Sequence, residues 1–106
     1  MQFTSFLENG KMTVALTGEI DHHRAKGYIQ AIAGKIEAYN PQTCVLDFQD
    51  VSFMDSSGIG LVMGRYKLMK TVHGRIRVEN LSPSAYKVMV LAGLERLGEI
   101  KQKEVV

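Results

Sequence analysis

The sequence predicts an α/β fold with a partly parallel sheet. Apolar residues alternate with period two in some segments and recur every three or four residues in others, and the two kinds of segment follow one another along the chain. Capping residues, glycines and prolines fall at the borders between them. At 106 residues, 45% hydrophobic and 23% charged, the chain is expected to form one domain over residues 1–106, with no internal repeat or linker.

Met12, Val14 and Leu16 stand two apart, the spacing of a half-buried strand, and Asn9-Gly10 before them signals a hairpin whose partner strand is Gln2 to Leu7. After Gly18-Glu19-Ile20 the period changes. Ala25, Tyr28, Ile29, Ile32 and Ile36 gather on one stripe of a helix that Asp21 is placed to cap and that Asn40-Pro41 ends. Thr43 to Phe48 is rich in β-formers and reads as a buried strand. The chain then turns through Val51-Ser52-Phe53-Met54 into Asp55-Ser56-Ser57-Gly58.

A second helix follows, with Ile59, Val62, Tyr66 and Met69 on its inner face and Arg65, Lys67 and Lys70 turned elsewhere, and His73-Gly74 closes it. Arg75 to Val78 is a further short strand. Ser82-Pro83 opens a third helix with a capping hydroxyl and a proline in its first turn; Ala85, Val88, Met89 and Ala92 form its apolar stripe, and Gly93 suits its end. Leu97 to Lys103 is expected to add an edge strand. If the strands around Leu16 and Leu46 are parallel, the turns at 18–21 and 51–57 emerge at one end of the sheet, where open α/β folds place their sites.

Composition excludes several functions. No apolar stretch approaches the roughly 20 residues of a membrane span, and the first residues lack the features of a secretory signal, so a cytoplasmic location is expected. A formal net charge of +2 with interspersed signs gives no basic stripe for direct nucleic-acid binding. Cys44, the single cysteine, has no disulfide partner and reads as a core residue. Adjacent His22 and His23 have no further ligand at zinc spacing, so no metal site is expected. Gly58-Ile59-Gly60 and Gly64 lack a phosphate-loop lysine or a dinucleotide pattern; no cofactor, no catalytic residue and no enzyme activity are expected. Weak nucleotide docking on the amides at a helix start is the alternative from another class.

Asp55-Ser56-Ser57-Gly58 makes a sound helix start, because a side-chain oxygen of Asp or Ser accepts from an orphan amide of the first turn for about 1 kcal/mol. With Asp55 as the cap, Met54 and Ile59 stand at hydrophobic-staple spacing. Capping does not account for the second serine and the glycine, where better helix formers exist.

The run from Leu46-Asp47-Phe48 through Asp55-Ser56-Ser57-Gly58-Ile59-Gly60 to Gly64-Arg65-Tyr66-Lys67 closely resembles the anti-sigma factor antagonists, whose fold is called the STAS domain. Thr17-Gly18-Glu19-Ile20-Asp21-His22-His23 resembles the same family's other signature, nearest to its sporulation branch. The resemblance covers nearly the whole chain; relatives usually continue past the position of Val106 into another helix. It implies a mixed sheet of four or five strands with helices packed on it.

The resemblance also implies a phosphorylation switch with Ser57 as the acceptor. The partners would be an anti-sigma factor that is itself a serine kinase, bound only by the unphosphorylated form, and a serine phosphatase. The surface expected to meet the anti-sigma factor comprises Asp21, Phe53, Met54, Asp55, Ser56, Ser57 and Gly58. A scaffold role in a general-stress pathway is the alternative within the family. Arg65 lies eight residues past Ser57, about 12 Å along a helix, too far to touch a phosphate there. The expected effect of the phosphate is therefore to spoil the partner's contact by bulk and acidic crowding, with little internal rearrangement.

Overall fold

The structure is a computed structural model and describes residues 3–104. Five strands form one sheet in the order β1-β2-β3-β4-β5: Phe3–Glu8, Lys11–Ile20, Thr43–Met54, Arg75–Leu81 and Glu99–Gln102. β1 and β2 are antiparallel, and every later neighbour is parallel. Asn9 and Gly10 both have positive φ, 52° and 78°, as a two-residue hairpin matched to the strand twist requires. Gln2, expected at the start of β1, lies outside the described residues.

Helices α1 (His22–Tyr39), α2 (Ser57–Thr71) and α3 (Pro83–Leu91) make the crossovers. Their buried residues, among them Tyr28, Ile32, Ile36, Leu61, Val62 and Met89, join Met12, Val14, Leu16, Cys44, Leu46, Phe48, Ile76 and Val78 in one core. The strand members of that cluster alternate along β2 and β3 and through Ile76 and Val78, so they line one face of the sheet, and Leu81 rejoins them past a register shift. The period-two residues read from the sequence, Met12, Val14 and Leu16, are thus on the helix-covered face of the sheet, while Val45 is buried on the other.

Helix ends follow the local chemistry. Asn40 terminates α1 in the left-handed conformation, φ 44°, just before Pro41. Ser82 caps α3, its Oγ accepting from the Ala85 amide at 3.2 Å. Gly93, φ 82°, turns the chain into a short 3-10 segment at Leu94–Arg96.

Three expectations are corrected. Val51 to Met54 is no turn: β3 runs on to Met54 because β2 also extends, pairing Gly18 with Val51 and Ile20 with Met54 across two register shifts. Arg65 is not turned outward but lies on the buried stripe of α2 with Gly58, Leu61, Val62 and Met69, while Ile59 and Tyr66 are only half-buried. In α3 only Met89 is buried; Val88 and Ala92 are exposed, since a helix of nine residues over the β4–β5 border covers little of the sheet.

Candidate functional site at the carboxyl end of the sheet

The parallel pairing of β2 with β3 brings the turns after both strands to one end. They are joined directly, the amide of Asp55 donating to the carbonyl of Ile20 at 3.1 Å. Gly18, φ 78°, sits between the two register shifts that carry β2 to this point, and a Cβ there would come within 3.0 Å of Arg24 Nη1. The positive φ calls for glycine at that kink; the arginine tip could move aside.

Asp21 caps α1, its Oδ1 accepting from the Arg24 amide at 2.8 Å. That hydrogen bond is the main reason its carboxyl is held below the ordinary value of 3.8. Across the Ile20–Asp55 link, Asp55 Oδ1 accepts from the Ser57 amide at 2.8 Å and Asp55 O accepts from the Gly58 amide at 3.0 Å. Ser56 O accepts from the Ile59 amide at 3.1 Å. Ser56 occupies the cap position of α2 without a side-chain cap bond, so the capping expected of Asp55 is supplied from one residue further back.

Ser56 is exposed and Ser57 half-buried, and among the described residues the Ser57 hydroxyl has no hydrogen-bond partner. Met54 lies against Gly58, where its Cγ and Sδ fill the space a Cβ would take. Phe53 is 53% exposed beside them. The sheet end therefore gathers Asp21, Phe53, Met54, Asp55, Ser56, Ser57 and Gly58 where β2 and β3 end and α1 and α2 begin, with Gly58 buried against Met54 and so not open to a partner.

The amides of Ser57, Gly58 and Ile59 already donate to Asp55 and Ser56. They are not free to cradle a nucleotide phosphate, which weakens the docking alternative. The strand order also advances in one direction from β2 to β5, so the sheet has no point where crossovers diverge to open a nucleotide crevice. The groove between the end of β3 and the start of α3 has a volume of about 210 Å³ and is lined by Phe48, Val51, Phe53, Met54, Ala85 and Val88 among others. That groove is below the usual size of a small-molecule site, roughly 300–1,000 Å³, whereas a more open cavity of about 920 Å³ runs along Thr17, Gly18, His23, Arg24 and Tyr28.

His22 and His23 are exposed, and among the described residues no cluster of metal-ligating side chains occurs. Among the same residues no helix is long and apolar enough to cross a membrane. Burial pushes the Cys44 thiol up to about 12, with the neighbouring Arg65 guanidinium offsetting part of the effect.

These features define a class: a small α/β domain that presents a helix-start serine at the carboxyl end of its sheet. The chain belongs to the STAS domain family, whose model matches residues 7–105. It is 32% identical over 96 residues to the anti-sigma F factor antagonist of Paenibacillus polymyxa, a match covering 91% of this chain and 82% of that protein. The anti-sigma factor antagonist SpoIIAA in its unphosphorylated form superimposes with a TM-score of 0.80 at 33% identity, over 93% of this chain and 87% of that one. The phosphorylated form of the Bacillus cell fate determinant SpoIIAA gives a TM-score of 0.74 at 33% identity, over 93% and 90% of the two chains.

Proposed function

We propose that this chain is an anti-sigma factor antagonist whose binding is switched by phosphorylation of Ser57. The unphosphorylated form binds an anti-sigma factor that is a serine kinase and thereby frees the sporulation sigma factor F. Phosphorylation ends that binding, and a serine phosphatase restores it. The chain is a substrate and a binding module in this cycle, acting in the cytoplasm.

The observation that carries the proposal is the Ser57 hydroxyl, unbonded at the start of α2 while its own amide is held by Asp55. Ser57 Oγ is free to attack the γ-phosphorus of ATP held by the kinase; the bond to the ADP oxygen breaks, and the hydroxyl proton leaves to a base on the kinase. The product carries about −1.5 to −2 charge at a helix N-terminus, where the dipole favours an anion. With the local amides already committed, the phosphate stays at the surface. It stands beside Asp21 and Asp55, so its effect falls on the partner through repulsion and lost contact area. SpoIIAA, a relative solved in both phosphorylated and unphosphorylated forms, supports such a cycle.

The test is complex formation with the anti-sigma F factor of the same organism, followed by gel filtration before and after ATP. A complex that forms without ATP and is lost as Ser57 acquires phosphate is expected. A chain that fails to bind, or one that binds equally well in both states, would overturn the proposal. Binding to a general-stress anti-sigma factor in its place would move the chain to the other branch of the family.

A further inference from the structure

Arg65 is 9% exposed, its Nε and Nη1 are buried, and among the described residues neither has a hydrogen-bond partner. The ion pairs among those residues join Arg77 to Glu79 and Glu99, and Lys101 to Glu99; none includes Arg65. From β3 its electrostatic neighbour is Cys44, a buried thiol that stays protonated at neutral pH and offers no countercharge. A guanidinium remains charged at any such pH. A guanidinium with two of its three nitrogens buried and unpartnered is costly, and a helix stripe of this kind is ordinarily filled by an apolar side chain.

Arg65 shares its helix with Ser57, eight residues apart, an axial distance of about 12 Å. The first turn of α2 contains no acidic residue. We infer that Arg65 is a positioning residue for the switch: its unpaired buried charge is the internal countercharge of a phosphate on Ser57, acting through the low-dielectric core without contact. The inference rests on Ser57 as the phosphoacceptor.

Two unit charges about 12 Å apart at an effective dielectric constant near 20 change an acid constant about tenfold, or about one pKa unit. Solvent around the phosphate reduces this, and about half a unit is expected. The other charged groups at the sheet end, Asp55 on the same turn and Glu19, Asp21, His22, His23 and Arg24 on the adjoining one, are the same in the chain and its Arg65 variants.

The experiment installs phosphoserine at position 57 during translation, so that it needs no kinase, and follows the phosphorus resonance with pH in the full chain, R65M and R65K. The second phosphate pKa should rise by about half a unit in R65M and return in R65K. An unmoved pKa in a folded R65M overturns the inference. If R65M does not fold, the buried Arg65 Nε–H resonance of the phosphorylated chain decides: it should titrate with the phosphate's midpoint, and a static resonance overturns the inference. Failure of a kinase to modify Ser57, scored separately, would overturn the proposed function and the role of Arg65 in it, whereas an unmoved pKa overturns the role of Arg65 alone.

Discussion

The side chain of Asp55 holds the backbone of Ser57: Asp55 Oδ1 accepts the Ser57 amide hydrogen at 2.8 Å while the Ser57 hydroxyl has no partner among the described residues. One carboxylate thus anchors the Ser57 backbone without competing for its hydroxyl. Asp55→Ala should cost about 1 kcal/mol of stability, as loss of a capping acceptor usually does. It should also slow phosphate transfer to Ser57 more than that loss of folded protein explains. Urea unfolding and initial transfer rates measured on the same preparation check both.

Asp21 should confer a pH dependence of definite sign. Its carboxyl titrates below the ordinary 3.8, chiefly because the charged form accepts the Arg24 amide. A depressed value means that its stabilisation is complete above the unfolded-state value and is lost as the pH falls through the lower folded one. In Asp21→Asn the amide oxygen keeps the cap acceptor but does not titrate. The stability difference between the chain and Asp21→Asn should therefore be constant from pH 7 to 5 and change only below about pH 4, near the reference carboxyl pKa. Unfolding midpoints across that range read it. Binding lost at unchanged stability would in addition mark Asp21 as a partner contact.

The glycines of α2 should separate packing from helix propensity. At Gly60 and Gly64 a Cβ meets nothing within 4 Å, so alanine at either should stabilise by about 0.5–1 kcal/mol. At Gly58 the added methyl would overlap the Met54 side chain. Gly58→Ala should yield no gain and should displace Met54, lowering affinity for the anti-sigma factor. Thermal melts and binding isotherms on the three variants test the contrast.

Cys44 should be inert in the native state. It is fully buried and its thiol is pushed up to about 12 by desolvation, so thiolate is scarce and access is closed. A thiol reagent at pH 8 should leave it unmodified in the folded chain and label it fully in denaturant; rapid native labelling would contradict the packing described for the start of β3.

The sequence made the period-two and period-3.6 segments legible because each element turns a single face to the core. Met12, Val14 and Leu16, or Ala25, Tyr28, Ile32 and Ile36, could be read directly for that reason. The helix starts at Asp21 and Asp55 were legible from cap and glycine chemistry, and the parallel pairing of β2 with β3 brings them together. The extension of β3 to Met54 was not, because Gln49, Asp50, Ser52 and Phe53 are exposed there and leave no alternation to see. Arg65 was misplaced because a charged residue on an apolar stripe carries no pattern that distinguishes a buried guanidinium from a solvated one. Val88 and Ala92 follow helical spacing, yet whether the sheet reaches beneath them depends on where β5 lies.

The most direct measurement maps the phosphate by mass spectrometry after incubation with the anti-sigma kinase and ATP, using the chain, Ser56→Ala and Ser57→Ala. A single phosphate on Ser57 in the first two and none in Ser57→Ala, which still binds the kinase, is the predicted result. Phosphate on Ser56, or transfer that survives in Ser57→Ala, would contradict it.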